Sequence, residues 1–145
     1  MSHARSTIRT ALVAALVGIT AAGSRVYTEE RVQAIAQGEL PAVLLAFQQE
    51  TPERITFGQI DGILERTISF TVTYIIKAAS GYLDAADTAC GQIEAAIAAF
   101  TGFKQSVPTR TLFDLDISGE LPLYTAEITF SGTYRTTQGN PATSL

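Results

Sequence analysis

Asp114 and Asp116 have the spacing best suited to chemistry in this chain. Two positions apart on a strand, both carboxylates stand on one face and can offer oxygen atoms to a hard cation. The same spacing suits a solvated strand face, where acids discourage edge pairing, and that plainer role is the commoner one. Cys90 is the only cysteine, which excludes a disulfide within the chain. It falls in an apolar stripe with Leu83, Ala86 and Ile93, as expected of a buried structural thiol rather than a nucleophile. The only histidine, His3, falls in a segment expected to fray, too loose to form a dyad with Cys90. Glu53, Asp61 and Glu65 sit at loop or hairpin positions with no neighbour that would make an acid–base pair.

Nucleotide and nucleophile motifs are absent. There is no glycine-rich phosphate loop, no serine in a strand-to-helix elbow and no Cys/His metal spacing. Arg25, Arg31, Arg54, Arg66, Arg110 and Arg135 are scattered without interleaved aromatics, which suits salt bridges better than a nucleic-acid stripe. Ten basic and fourteen acidic residues give a formal charge of −4, so nothing draws the chain to nucleic acid or anionic lipid. No residue points to a catalytic role or a bound cofactor.

The elements that must position these residues follow from hydrophobic periodicity. The 145 residues, 46% hydrophobic, fit one domain with a sizeable core. Only 17% are charged, below the usual share of about 25%. A surface poor in charge and rich in Thr and Ala suits a protein that covers much of itself with partners.

Ile8, Leu12, Ala15/Leu16 and Ile19 recur at helical spacing, with Ser6 or Thr7 as cap and Gly23 as stop. This segment competes with a second reading. Arg5, Arg9, the apolar run Ala11–Ala22 and the small residues 20–23 also resemble a secretory signal peptide. The alanine-rich run favours a retained helix, and it is too short to span a bilayer. Thr28–Gln37, polar with Val32 and Ile35, suits one or two helical turns or an ordered loop. Ala42–Phe47 reads as a strand buried on both faces, followed by a polar loop over 48–53.

Asp61-Gly62, between the runs 55–60 and 63–77, signals a hairpin. In its second arm Ile68, Phe70, Val72, Tyr74 and Ile76 face one way, and Thr67, Ser69, Thr71 and Thr73 the other. Ser80-Gly81 introduces a second helix with the stripe Leu83, Ala86, Cys90, Ile93, Ala96/Ile97 and Phe100, ending near Gly102. Alternating strands follow at Leu112–Ile117 and Tyr124–Tyr134. The expected fold is α+β: a mostly antiparallel or mixed sheet with both helices on one face. Residues 1–136 form a single domain, and 137–145, small and polar, form a disordered tail.

The first helix leading to Gly23-Ser24-Arg25-Val26-Tyr27, the run Glu39-Leu40-Pro41-Ala42-Val43-Leu44-Leu45-Ala46-Phe47, the strand 68–76, the alanine-rich helix 83–100 and the closing strand 124–134 carry a likeness. Together they resemble the tail terminator family of long-tailed bacteriophages that includes lambda's minor tail protein U. Members often carry proline after the Arg-Val-Tyr tripeptide, where this chain has Thr28.

The resemblance implies a structural virion protein of mixed α/β build. It would form a homohexameric ring, assembled in the host cytoplasm, that caps the major tail tube protein, ends polymerisation and docks to the head–tail connector. DNA would pass through its pore without specific binding, and no membrane is involved. Arg25, Tyr27, Glu50 and Arg54, beside the loops around the first strand, are the candidates for subunit or tube contacts. A gene transfer agent would use the same part. The competing expectations are another connector or tail-completion component, and an exported small ligand-binding protein.

Overall fold

In the computed structural model, the described residues are 3–28, 40–55, 62–142 and 144–145. They form α1 (Ala4–Leu16), β1 (Val26–Thr28), β2 (Ala42–Arg54), β3 (Ile63–Lys77), α2 (Tyr82–Ala99), β4 (Gln105–Asp116) and β5 (Leu123–Thr137). The strands make one sheet in the order β1-β2-β3-β5-β4. Only β1 and β2 run parallel; every other pair is antiparallel. The fold is α+β with a mixed sheet.

One face of that sheet is apolar because the strand alternation stays in register across it. Leu45 lies opposite Val72, and Val72 opposite Ile128; Phe47, Phe70 and Phe130 line up in the next row. Phe70 stacks on Phe130 at 5.3 Å and on Phe103 at 5.5 Å. Ile8, Leu12 and Leu16 of α1 and Ala86, Ala89, Ile93 and Ile97 of α2 bury against this face. Gly132 is needed here because a Cβ would meet the Phe103 ring at 2.8 Å. Thr67, Ser69 and Thr73, with their partners on β5, line the opposite face.

Several boundaries depart from the sequence reading. α1 starts at Ala4, not after Ser6 or Thr7, because the His3 side chain caps it by accepting from the Arg5 N–H. The helix stops at Leu16, and Gly18, at φ +82°, takes the turn in place of Gly23. In α2 the buried stripe runs through Ala86, Ala89, Ile93 and Ile97, while Leu83 is exposed. The stripe is rotated because Tyr82 takes the inward place, packing on Tyr124 at 5.5 Å. α2 ends at Ala99, with Phe100 as its C-cap, ahead of Gly102.

The polar run 48–53 is strand, not loop: β2 continues to Arg54, through a bulge between Phe47 and Gln49. No other strand of the described residues pairs its outer edge there, so Pro52 loses no ladder bond on that side. β2 is therefore the hairpin partner of β3, with Arg54 opposite Leu64. Of the arm expected over Ile55–Ile60, residues 56–60 lie outside the described residues, as does Asp61. Of the segment 28–37, only Thr28 is described, as the last residue of β1.

β5 extends to Thr137, and Thr136 is fully buried. Beyond it, in the segment read from composition as a tail, the Gln138 N–H donates to the Gly62 carbonyl, the Ala4 N–H to the Pro141 carbonyl and the Leu145 N–H to the Arg135 carbonyl.

Candidate functional site

Two places hold the groups that matter: a charged knot under α1 and the open edge at β4.

The knot centres on Glu50. Past the bulge in β2, the pleat turns Glu50 to the helix-covered face, opposite Ile68. Its side chain is only 7% exposed. A carboxylate there needs compensation, since burying a lone charge is costly. Arg5 and Arg66 each bring an Nη1 atom to 3.0 Å from Oε2, and the Tyr134 hydroxyl donates to Oε1. Arg66 also donates from Nε to the Thr136 hydroxyl at 2.9 Å.

The knot thus fastens α1, β2, β3 and β5 at one point. Burial, then the hydrogen bond and negative charge of Glu50, push the Tyr134 hydroxyl far above its ordinary pKa, so it stays protonated and remains the donor. Both carboxylate oxygens are engaged, and the arrangement works as a fastening. His3, at its margin, has its pKa lowered, first by burial and then by Arg5 and Arg66, with Glu50 opposing.

Other candidates lie apart from this point. Arg25 immediately precedes β1; it donates from Nε to the Pro41 carbonyl at 2.9 Å, tying the strand entry to the start of β2. Tyr27 follows in β1, opposite Leu44. Arg54 ends β2, and its guanidinium lies so close over Gly62 that a Cβ there would collide with it. The four contact candidates are thus spread along β1 and β2. Cys90 is half-buried, and burial, then Glu94 and Asp87, push its thiol pKa up, favouring the unreactive protonated form.

β4 is an edge strand of the sheet, at the end opposite β1. It carries Asp114 and Asp116 on the uncovered face, opposite Thr125 and Leu123. Asp116 accepts from both the N–H and the hydroxyl of Ser118, at 2.9 and 2.6 Å, and these bonds hold its carboxyl below the ordinary range. No group of three or more potential metal ligands occurs among the described residues.

The apolar alternation of β4 does not bury it. Leu112 is 48% exposed, Phe113 56%, and Ile117, just past the strand, 73%. Phe113 and Leu115 stand on the helix-covered face and Leu112 on the other, so both faces of this edge are apolar and open. The protective device, Pro108 with a bulge before Arg110, guards only the first part of the strand.

The sequence singles out Glu50 as a contact candidate and Arg66 as one of several arginines suited to salt bridges, but nothing in it marks Arg5, Tyr134 or Thr136 as their partners. Alternation along the sequence does not find the inward place of Glu50: Val43, Leu45 and Phe47 face inward, and only the bulge between Phe47 and Gln49 brings Glu50 to the same side.

Comparison with protein-family models gave no match, and comparison with curated proteins gave none. No helix among the described residues is long and apolar enough to cross a membrane.

Proposed function

We propose that this chain is the subunit of a homohexameric ring in a virion tail, capping the tail tube, ending its polymerisation and joining it to the head connector. The observation that carries this reading is the open β4 edge, with large apolar side chains exposed on both faces. Isolated subunits seldom leave such an edge bare, and burial against a neighbour removes the hazard. A closing ring needs two unlike, complementary surfaces. Among the described residues the sheet supplies unlike ends: β4 at one, and at the other β1 with the part of β2 that β1 does not pair. The charge of −4 suits a conduit that passes DNA without gripping phosphates.

The test is genetic and structural together. Loss of the gene is expected to give overlong tails, and the tail-associated protein is expected to appear as hexameric rings in electron micrographs. Tails of normal length that fail to join heads would assign the chain to another connector component. A particle with neither defect would overturn the reading. A major tail protein encoded directly downstream is the expected gene neighbour, in a phage or in a gene transfer agent.

A further inference from the structure

We propose that, free in solution, the subunit pairs with a second copy through β4, the two strands running antiparallel about a twofold axis at Leu112. The argument starts from the open part of β4, residues 110–116. On its uncovered face stand Arg110, Leu112 and Asp114, opposite Thr129, Glu127 and Thr125 of β5. Arg110 and Asp114 take part in no ion pair among the described residues. A cation, a leucine and an anion at equal spacing form a palindrome of opposite charge. Turned about Leu112, the strand sets Arg110 against Asp114 of the second copy, Asp114 against its Arg110, and leucine against leucine. Opposite charges directly across two strands attract, and like charges repel.

On the other face, Phe113 of each copy falls opposite Thr111 and diagonal to the other Phe113, within reach of an aromatic ring. Phe113 already lies on Tyr124 at 6.2 Å, so its ring is set for such a contact. A register shifted to Phe113 would instead place Leu112 against Asp114 and spend Arg110 on Asp116, whose carboxylate is already held by Ser118. The charges therefore select the register at Leu112. Pro108 and the bulge beside it confine the pairing to residues after them. The result is one continuous sheet across two copies, hiding the exposed apolar edge. The pairing occupies the same edge that the proposed ring would bury, so it describes the free subunit and must open before β4 can meet a ring neighbour.

Sedimentation of the full chain is the test. The wild type is expected to dimerise, with Arg110→Asp or Asp114→Arg each weakening association by about tenfold or more. The double variant R110D/D114R restores the palindrome and is expected to recover affinity to within about threefold. Under mild oxidation Leu112→Cys is expected to cross-link to its own copy, and Phe113→Cys far less. A wild type that stays monomeric up to about 1 mM would overturn the proposal. So would single variants that pair normally, or a double variant that does not recover. A hexameric mass indifferent to the double variant would overturn it and leave the ring reading standing.

Discussion

The Tyr134 hydroxyl donates to the Glu50 carboxylate across 84 residues of sequence, from a strand not adjacent to its own. β3 lies between them and contributes Arg66 to the same carboxylate. The bond exists only once three strands are in register. Glu50→Gln leaves Arg66 buried without its counter-charge, and is expected to cost about 3–5 kcal/mol in urea unfolding. Tyr134→Phe removes one donor and is expected to cost about 1–3 kcal/mol. Arg5, more exposed at 40%, matters less, and Arg5→Ala should stay below both.

His3 gives the fold an acid-sensitive corner. Its Nδ1 accepts from the Arg5 N–H only while the ring is neutral, and its pKa is lowered in the folded state. The unfolded chain then binds the proton more readily, so this contribution is complete above the ordinary histidine pKa and is lost as pH falls below it. Thermal unfolding should show the wild type losing stability from pH 7 toward pH 5. His3→Asn keeps a capping oxygen without the titration and should flatten that part of the curve, whereas His3→Ala should lose about 1 kcal/mol at neutral pH.

Gly132 tests the aromatic core. A methyl group there would press into the Phe103 ring, which is itself stacked on Phe70. Gly132→Ala is expected to lower stability by about 1–3 kcal/mol through overpacking. The double variant Gly132→Ala with Phe103→Leu should lose less than the sum of the two single changes, as read by calorimetry.

Cys90 should behave as a shielded thiol. With its pKa raised by burial and by Glu94 and Asp87, alkylation of the folded protein at pH 7 is expected to run well below the rate of the urea-unfolded chain. Mass spectrometry of iodoacetamide-treated samples reads this directly. Equal rates in the two states would contradict the described environment.

Local pattern determined much of this protein. The alternation of β3 and β5 named the buried rows before any contact was known, because period-2 patterning depends only on neighbours along the chain. The two helices were legible for the same reason, from apolar side chains at helical spacing. Their ends were less so, since caps are single-residue events: His3 and Gly18 outcompeted Ser6 and Gly23. Tertiary structure decided what periodicity cannot see. Leu112, Phe113 and Leu115 read as part of an alternating strand whose place in the sheet was open; β4 became the sheet edge and left them exposed, because strand order depends on pairing between distant segments. Glu50 read as part of a polar loop over 48–53. Only pairing with β3 kept that segment extended, turned the carboxylate inward and brought Arg66 and Tyr134 to meet it.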